Sequence, residues 1–167
     1  YLWYIIIATK TVAIYFFREK PMKLSSKSQY GLKACYILAL NYEKRSFSAS
    51  ALEKEIGVSG KYLERILRML SGARIVAAER GVSGGYRLAR DPAKITVGDI
   101  VRVLEDDLDI VDCINASCDK CASGSVWKRM YEGINGVLDS ITLGSLVEDF
   151  EGGGVCKCAH MKKEKED

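Results

Sequence analysis

Three cysteines within nine residues form the part of the sequence best suited to chemistry. The segment CINASCDKC places Cys113, Cys118 and Cys121 with four residues between the first pair and two between the second. Thiolates are soft, strongly donating ligands that suit iron–sulfur clusters and zinc. Six cysteines in 167 residues are too few for a disulfide scaffold, and clustered cysteines in a reducing compartment more often bind metal or do redox work. The segment therefore predicts a metal or redox site in a cytoplasmic protein.

Charge divides the sequence into a basic and an acidic half. Residues 22–90 contain 13 Lys and Arg against 5 Asp and Glu, whereas residues 91–167 contain 9 against 16. This asymmetry indicates a polyanionic partner, such as nucleic acid, for the basic half. The alternative is that both charge runs only keep surfaces soluble. With 167 residues, 48% of them hydrophobic, the chain suits one core-forming domain with an appendage.

The first 21 residues differ in character from the rest. YLWYIIIATKTVAIYFF is apolar but short for a membrane span, and Lys10 lies near its centre, where a charge is costly. The segment lacks the charged start and the cleavage site of a signal peptide. We interpret residues 1–21 as translated upstream sequence or a remnant of expression, with Met22 as the natural start. A membrane anchor is the alternative, although we expect no membrane partner.

The next segment predicts three helices in the layout of a helix-turn-helix. SKSQYGLKACYILALNY has apolar residues at a helical period, among which Cys35 fits as a small core residue. SASALEKEIG predicts a short second helix, with Ser50 and Glu53 at capping-box spacing and Gly57 at its end. VSGKYLERILRMLSGA predicts a third helix with Ser59 as its N-cap. The apolar face of this third helix consists of Leu63, Ile66, Leu67 and Leu70, and its polar face of Lys61, Glu64, Arg65 and Arg68.

Two short strand-like segments follow the third helix. RIVAAER and YRLAR are joined by GVSGG, in which Gly81, Gly84 and Gly85 permit a positive φ or a close approach of backbone. Arg80 and Arg87 flank this tip, as a wing lying against a DNA groove requires. A basic helix followed by a glycine-tipped hairpin predicts a winged helix-turn-helix, in a mainly α fold with a small β-hairpin. The glycines alone are typical of any tight turn.

The acidic half predicts a short helix and a long helix on either side of the cysteine segment. TVGDIVRVLED is expected to form a helix capped by Thr96. SVWKRMYEGINGVLDSI is expected to form one long amphipathic helix that packing must hold, because Gly133 and Gly136 lower its propensity. The tail GGGVCKCAHMKKEKED is typical of a flexible polar segment. The apolar positions of the long helix are Trp127, Met130, Tyr131, Ile134, Val137, Leu138 and Ile141.

Four segments resemble the Rrf family of bacterial winged-helix transcription regulators. They are MKLSSKSQYGLKA, GVSGKYLERILRMLSGARIV, RGVSGGYRLARDPAKITVGDIVRVLE and LDSITLGSLVED, and the resemblance covers about residues 22–149. It implies a homodimer that binds a palindromic operator in double-stranded DNA, with the long helix pairing with its twin. The residues that the resemblance places at the DNA are Ser26, Lys27, Ser59, Lys61, Tyr62, Glu64, Arg65, Arg80, Ser83, Gly84 and Gly85.

The patterns and the resemblance together predict the organisation of the chain. Residues 1–21 form a leader, and residues 22–92 form a winged helix-turn-helix DNA-binding domain. Residues 93–149 contain the cysteine loop and the dimerisation helix, and residues 150–167 form a flexible tail.

Glu64 stands apart on the predicted recognition helix because it is acidic. Phosphates repel a carboxylate, so it can help DNA binding only by accepting a hydrogen bond, for example from cytosine N4. The resemblance places Glu64 where some family members read a base with glutamate. Lys and Arg side chains would instead contact phosphates, and arginine can also enter a narrow minor groove. The alternative role for Glu64 is an ion pair with Arg68 at i+4.

The resemblance also implies a cofactor for the cysteine segment. In the family, three cysteines between the wing domain and the dimer helix hold an iron–sulfur cluster, either [2Fe–2S] or [4Fe–4S]. The present spacing is tighter than the usual family pattern. The histidine that one branch uses as fourth ligand falls at Gly124, and the aspartate that another branch uses falls at Gln29. The remaining candidates for a fourth ligand are Asp112, Asp119, Cys156, Cys158, His160 and a group from the other subunit.

Several alternatives to a cluster remain open for these cysteines. They can bind zinc, with the CKCAH run of the tail completing a Cys₃His set, act as a metal-free thiol switch, or be inert. The corresponding alternative function is a cofactor-free or thiol-switch regulator of the family's cysteine-metabolism type. An iron–sulfur electron carrier or enzyme is less well supported, because the sequence has one histidine and no catalytic constellation. We therefore expect a transcription regulator that senses cluster status, nitric oxide or redox state, and no enzyme.

Overall fold

The structure, a computed structural model, describes residues 24–79, 81, 84–105, 108 and 123–150. The predictions for the leader, for the three clustered cysteines and for the tail beyond residue 150 concern residues outside these ranges. Within the described ranges, no helix combines the length and the apolar character needed to cross a membrane.

Helices α1, α2 and α3 form the first half of the fold. α1 spans Ser26–Leu40, α2 spans Ala49–Ile56 and α3 spans Gly60–Gly72. Gly57 ends α2 with a left-handed φ of 77°, and its N–H donates to the carbonyl of Glu53. A residue without a side chain adopts this conformation without steric cost. The predicted helix-turn-helix, a short helix followed by a tight turn and a longer helix, is thereby confirmed.

The start of α2 differs from the prediction. Its N-cap is Ser48, whose hydroxyl accepts a hydrogen bond from the Ala51 N–H at 3.2 Å. Ser50 lies inside the first turn, so its assignment as the capping residue is wrong. The extended backbone ends at Ser48 because the preceding residue, Phe47, pairs with Tyr86 of the hairpin. A contact between distant segments therefore determines where α2 starts, and the local capping pattern gives no sign of that contact.

The wing is a two-stranded antiparallel hairpin. β1 spans Val76–Glu79 and β2 spans Gly85–Leu88, and the register sets Val76 opposite Leu88. Both of these side chains are 1% exposed, so the base of the hairpin is anchored in the core. The predicted mainly α fold with a small β-hairpin is confirmed.

The base of the wing also pairs with the connection between α1 and α2. The Phe47 N–H donates to the Tyr86 carbonyl at 2.9 Å, and the Tyr86 N–H donates to the Phe47 carbonyl at 2.8 Å. A Cβ on Gly85 would lie 2.6 Å from the Phe47 carbonyl oxygen. Glycine at position 85 therefore permits a close approach that any side chain would obstruct.

The second half of the fold is helical. Thr96 caps α4 as predicted, because its hydroxyl accepts from the Asp99 N–H at 3.0 Å while the Asp99 carboxylate accepts from the Thr96 N–H at 3.3 Å. The predicted long helix after the cysteine segment is confirmed as α5. The elements of this half are the 3₁₀ turn Pro92–Lys94, α4 (Val97–Leu104), α5 (Gly124–Ser140) and α6 (Leu143–Asp149).

One hydrophobic core joins the two halves. Its members Ile95, Ile100, Leu104 and Leu143 follow residue 92, so the core continues across the predicted domain limit. Cys35 is fully buried within it, which confirms its assignment as a core residue. The largest fully buried side chains are Leu38, Leu52, Leu63, Ile66, Leu67, Leu70, Ile75, Leu88, Ile95, Ile100, Leu104 and Leu143.

Helix α4 links α1 and α3 on one side to α5 on the other. A Cβ on Gly31 of α1 would overlap the Leu104 side chain and lie 3.3 Å from Cγ2 of Ile66 in α3. On the opposite side, the Arg102 guanidinium donates to Oδ1 of Asn135 at 3.1 Å and pairs with Asp139. α4 is therefore fixed by apolar packing toward α1 and by polar contacts toward α5.

Substitution of Gly85 by alanine should lower the free energy of unfolding by about 1–3 kcal/mol, because the added methyl group must displace the Phe47 backbone. Urea unfolding followed by circular dichroism measures this change. Gly72→Ala is the matched control, since nothing lies within 4 Å of a Cβ at that helical position, and it should be neutral or slightly stabilising. Equal stability of the two variants would contradict the close approach at Gly85.

Candidate nucleic-acid interface

Helix α3 has one buried apolar face and one exposed polar face. The side chains on the buried face, each at most 1% exposed, are Leu63, Ile66, Leu67 and Leu70. The side chains on the exposed face are Lys61, Glu64, Arg65 and Arg68. Glu64 and Arg68 form none of the salt bridges between described residues. The structure therefore contains no ion pair between Glu64 and Arg68, and Glu64 is exposed at the surface.

Contacts with α1 fix the orientation of α3. The ring of Tyr62 meets the ring of Tyr30 edge to face, with 6.1 Å between centroids and 89° between planes. Such aromatic pairs prefer this geometry. Tyr62 is half-buried, so a predicted DNA-contacting residue also packs within the domain. Ser59 occupies the N-cap position of α3 as predicted, but its hydroxyl makes no capping hydrogen bond and its residue is exposed.

Helix α1 packs beside α3 through Tyr30, which lies one turn after the start of α1. Ser26 is exposed there and Lys27 is half-buried. The Ser25 N–H donates to Oε1 of Glu105 at 2.8 Å, and the buried Ser28 hydroxyl donates to the same oxygen at 2.5 Å. Glu105 follows the last residue of α4, so the end of α4 and the start of α1 are joined through one carboxylate.

The environment of Glu105 favours its charged form. Partial burial raises the pKa of the carboxyl, but hydrogen bonds from Ser28 and Ser25 and the positive charge of Lys27 outweigh that effect. The pKa of Glu105 consequently lies below the ordinary value of 4.5. Hydrogen bonds donated to a carboxylate stabilise the ionised state in this way.

The wing tip is a tight turn with glycine in a conformation that other residues avoid. Gly81 has a φ of 119°, and the Gly84 N–H donates to the Gly81 carbonyl at 3.0 Å. The predicted contact residues Arg80 and Ser83 lie outside the described residues, whereas Gly84 and Gly85 are half-buried. Arg87 pairs with Glu79 across the hairpin, and its side chain remains 51% exposed.

A family model described as Rrf2, an iron-dependent transcriptional regulator, matches residues 24–149. The chain belongs to the Rrf2 family. This match confirms the family resemblance of the sequence, and it covers the helix-turn-helix, the wing and the long helix α5. The named relatives of this Rrf2 protein are transcription regulators rather than enzymes.

Two regulators illustrate the similarity in sequence. The HTH-type transcriptional regulator IscR of Cronobacter sakazakii is 33% identical over 134 residues, which cover 78% of this chain and 83% of the relative. IscR of Klebsiella pneumoniae strain 342 is also 33% identical over 134 residues, with 78% and 82% covered.

Two solved structures illustrate the similarity in fold. CymR, the global cysteine regulator of B. subtilis, superimposes with a TM-score of 0.68 at 34% identity and covers 76% of this chain and 97% of its own. The T. potens IscR structure has a TM-score of 0.65 at 38% identity and covers 76% of this chain and 87% of its own.

All the residues of this Rrf2 protein named above as candidate metal ligands lie outside the described residues. Within the described part, no group of three or more His, Cys, Asp or Glu side chains is placed to hold a metal. Cys35 is no candidate, because full burial in the core raises the pKa of its thiol to about 12. Gly124 begins α5, and the Gln29 amide donates to the Leu24 carbonyl at 3.2 Å.

Sequence reasoning missed Glu105 and Phe47, which support the candidate interface from within the fold. Glu105 follows the apolar residues of α4 and has the pattern of an ordinary surface acid at a helix end. Phe47 precedes a helix and gives no sign of pairing with Tyr86. Both roles come from contacts between distant segments, which local periodicity does not encode.

Glu105→Gln should make the stability of this Rrf2 protein less sensitive to acid. Because the folded pKa of the carboxyl is depressed, its stabilisation is present above the unfolded pKa and is lost as the pH falls through the folded pKa. Urea unfolding between about pH 3 and pH 7 measures this dependence. The unaltered protein and the variant should differ most above about pH 5 and converge on acidification. Parallel curves over the whole range would show that the carboxylate is not stabilised by these contacts.

Proposed function

We propose that this Rrf2 protein is a DNA-binding transcription regulator that reads its operator with α3. The observation that supports this most strongly is the division of α3 into a buried leucine-rich face and an exposed face with Lys61, Arg65 and Arg68 around Glu64. The lysine and arginines would contact phosphates, and Glu64 would accept a hydrogen bond from a base. The start of α1 and the wing flank α3 and supply further backbone contacts. This function places the protein in the cytoplasm, where operators and reduced thiols occur together.

The active form is a homodimer joined through α5. Apolar residues on one side of this helix remain exposed at Val126 (52%), Met130 (39%), Ile134 (36%) and Val137 (60%). Their spacing of four, four and three positions forms a continuous stripe on a helix. Trp127, Tyr131 and Leu138 are half-buried by comparison. A second copy of α5 would cover the stripe and set two recognition helices about one turn of DNA apart.

The proposed regulator senses its signal through Cys113, Cys118 and Cys121. Three thiolates suit an iron–sulfur cluster, and the IscR relatives belong to a family described as iron-dependent. When bound, the cluster would supply a group that gains or loses electrons and reacts with oxidants or nitric oxide. The residues of this chain would hold it through three sulfurs, with the fourth ligand among Asp112, Asp119 and the other candidates named above. Zinc on the same thiolates is the alternative metal.

A regulator without a cofactor is the second candidate function. Its specific support is the similarity to CymR, whose structure matches with a TM-score of 0.68, against 0.65 for T. potens IscR. CymR is the global cysteine regulator of B. subtilis. The two candidates share the DNA-binding surface and differ only in what the cysteine segment holds.

Glu64→Ala should relax sequence preference, whereas Arg65→Ala should weaken binding to every duplex. The probe is a palindromic duplex recovered from a random pool with the unaltered protein, compared with an unrelated duplex across a salt series. Loss of a base contact at Glu64 should reduce the difference in binding free energy between the palindromic and the unrelated duplex by about 1–3 kcal/mol. Loss of a phosphate contact at Arg65 should reduce the slope of log affinity against log salt by about one.

Lys94→Ala is the control for these variants. Lys94 is an exposed cation in the 3₁₀ turn, which packs against α6, so its removal should leave both affinities unchanged. Equal loss on all duplexes for Glu64→Ala would mean that the residue holds the helix and reads no base. Affinity of the unaltered protein that does not depend on sequence would contradict the proposed function.

Protein prepared anaerobically with iron and sulfide should be coloured and should contain iron and acid-labile sulfide in stoichiometric amounts. Replacement of Cys113, Cys118 and Cys121 by alanine should remove both, leave a folded protein and alter operator affinity. Cys35→Ala is the matched control and should retain the cluster, because Cys35 is buried in the core. Zinc without sulfide would favour the zinc alternative, and absence of any metal would favour the cofactor-free candidate.

A further inference from the structure

The first turn of α1 is completed by a residue far away in the sequence. Ser25 occupies the N-cap position with an extended backbone, but its side chain makes no capping hydrogen bond. Helices usually satisfy their first N–H groups with a nearby side-chain oxygen. Here the carboxylate of Glu105 accepts from the Ser25 N–H at 2.8 Å and from the Ser28 hydroxyl at 2.5 Å.

The contact with Ser28 is costly to lose. Ser28 is 2% exposed, and it is the buried polar residue of the described core. A buried hydroxyl without a partner is strongly unfavourable, whereas a hydrogen bond to a carboxylate is stronger than one between neutral groups. Negative charge is also favoured at the N-terminus of a helix. Glu105 therefore fixes the first turn of α1 in place.

Glu105 is itself held by the fold. Its N–H donates to the Val101 carbonyl at 2.8 Å, which continues the hydrogen bonding of α4. One position earlier, Leu104 is fully buried against Gly31. Arg102 fixes the same turn of α4 to Asn135 and Asp139 of α5. The Glu105 carboxylate thus connects the start of α1 to α4 and, through Arg102, to α5.

Glu105 also occupies a special position along the chain. The chain passes from Glu105 toward the cysteine segment, and Cys113 follows eight positions later. On the other side of the contact, Ser26 and Lys27 lie between the two serines that Glu105 binds. One short connection therefore separates the proposed sensor from residues proposed to face DNA.

We propose that Glu105 is a positioning residue for DNA binding: it holds the DNA-facing start of α1 and makes that position depend on the state of the cysteine segment. The proposal rests on the proposed function and adds the residue through which regulation reaches the operator. Any change at the cysteine segment that shifts the end of α4 alters the contacts with Ser25 and Ser28. The same shift moves Ser26 and Lys27 relative to α3. The start of α1 and α3 can then no longer contact the same DNA in the same way.

The test measures affinity for the recovered palindromic duplex in three single variants and one double variant of the full chain. Glu105→Ala removes both hydrogen bonds and should weaken operator binding about threefold to tenfold. Glu105→Gln keeps an acceptor oxygen and should retain most of the affinity. Ser28→Ala, which is nearly isosteric, should weaken binding in the same direction, and its effect should largely disappear in a chain that already has Glu105→Ala. Thermal unfolding verifies that each variant is folded at the temperature of the binding assay.

Asp99→Asn is the matched control. Asp99 lies in the first turn of α4, and its hydrogen bonds are with Thr96 and Arg90 rather than with α1. Its substitution can lower the unfolding temperature, but it should leave operator affinity within about twofold of the unaltered protein, since additivity errors are of that size. Equal weakening by Asp99→Asn and Glu105→Ala would overturn the proposal, because it would reduce Glu105 to a general stabiliser of α4.

Dependence on the cysteine segment is tested by combining Glu105→Ala with alanine at Cys113, Cys118 and Cys121. All four proteins are treated anaerobically with iron and sulfide before the affinity measurement. The cysteine substitutions change operator affinity by some factor when residue 105 is glutamate. With Glu105→Ala, that factor should be smaller by at least about threefold, a deviation from additivity that marks coupled residues. Additive effects, or unchanged operator affinity in Glu105→Ala, would overturn the proposal while leaving the proposed function intact. If the unaltered protein shows no operator preference, the proposed function fails and the proposal fails with it. If operator preference is present but does not respond to the cysteine substitutions, sensing through the cysteines fails, and the proposal that Glu105 couples them to α1 is overturned.

Discussion

The contact between Gly31 and Leu104 is the constraint on which the rest of the fold depends. A side chain at position 31 would overlap Leu104, so α4 can reach α1 and Ile66 of α3 only because this position is glycine. Leu104 is fully buried there. The helix that leads to the cysteine segment is therefore packed on the helices of the helix-turn-helix, with no independent domain between them. Close packing of this kind transmits small displacements, because protein interiors have little free volume.

Much of the fold could be predicted because its elements have strong local patterns. Leu63, Ile66, Leu67 and Leu70 recur at the helical period and are all buried in α3. Thr96 and Asp99 form the capping box that their spacing suggests. The start of α2 could not be predicted, since Ser50 and Glu53 have the better local pattern and pairing of Phe47 with Tyr86 nevertheless ends the extended chain at Ser48.

In the candidate interface, too, some features could be predicted from the sequence and others could not. The exposed basic face of α3 follows from periodicity, and Glu64 stands out on it by its charge alone. The sequence could not show that Tyr62 packs against Tyr30 or that Arg87 pairs with Glu79, since both partners lie on other elements. For the cysteines the limit is chemical, because three thiolates are a common ligand set for several metals and the family's usual fourth ligands fall on Gly124 and Gln29.

The distance along the chain between α1 and Glu105 bears on how the protein is made. Ser25 and Ser28 precede their partner by 80 and 77 positions, so a growing chain exposes α1 long before the carboxylate that completes it has been synthesised. At about 5–20 residues per second, this interval lasts roughly 4–16 seconds. During that time the first turn of α1 frays, because short helices without tertiary partners are marginal in water. The start of α1 thus becomes fully ordered only after Glu105 has been synthesised, and a ribosome-bound chain that ends before Glu105 lacks these two contacts.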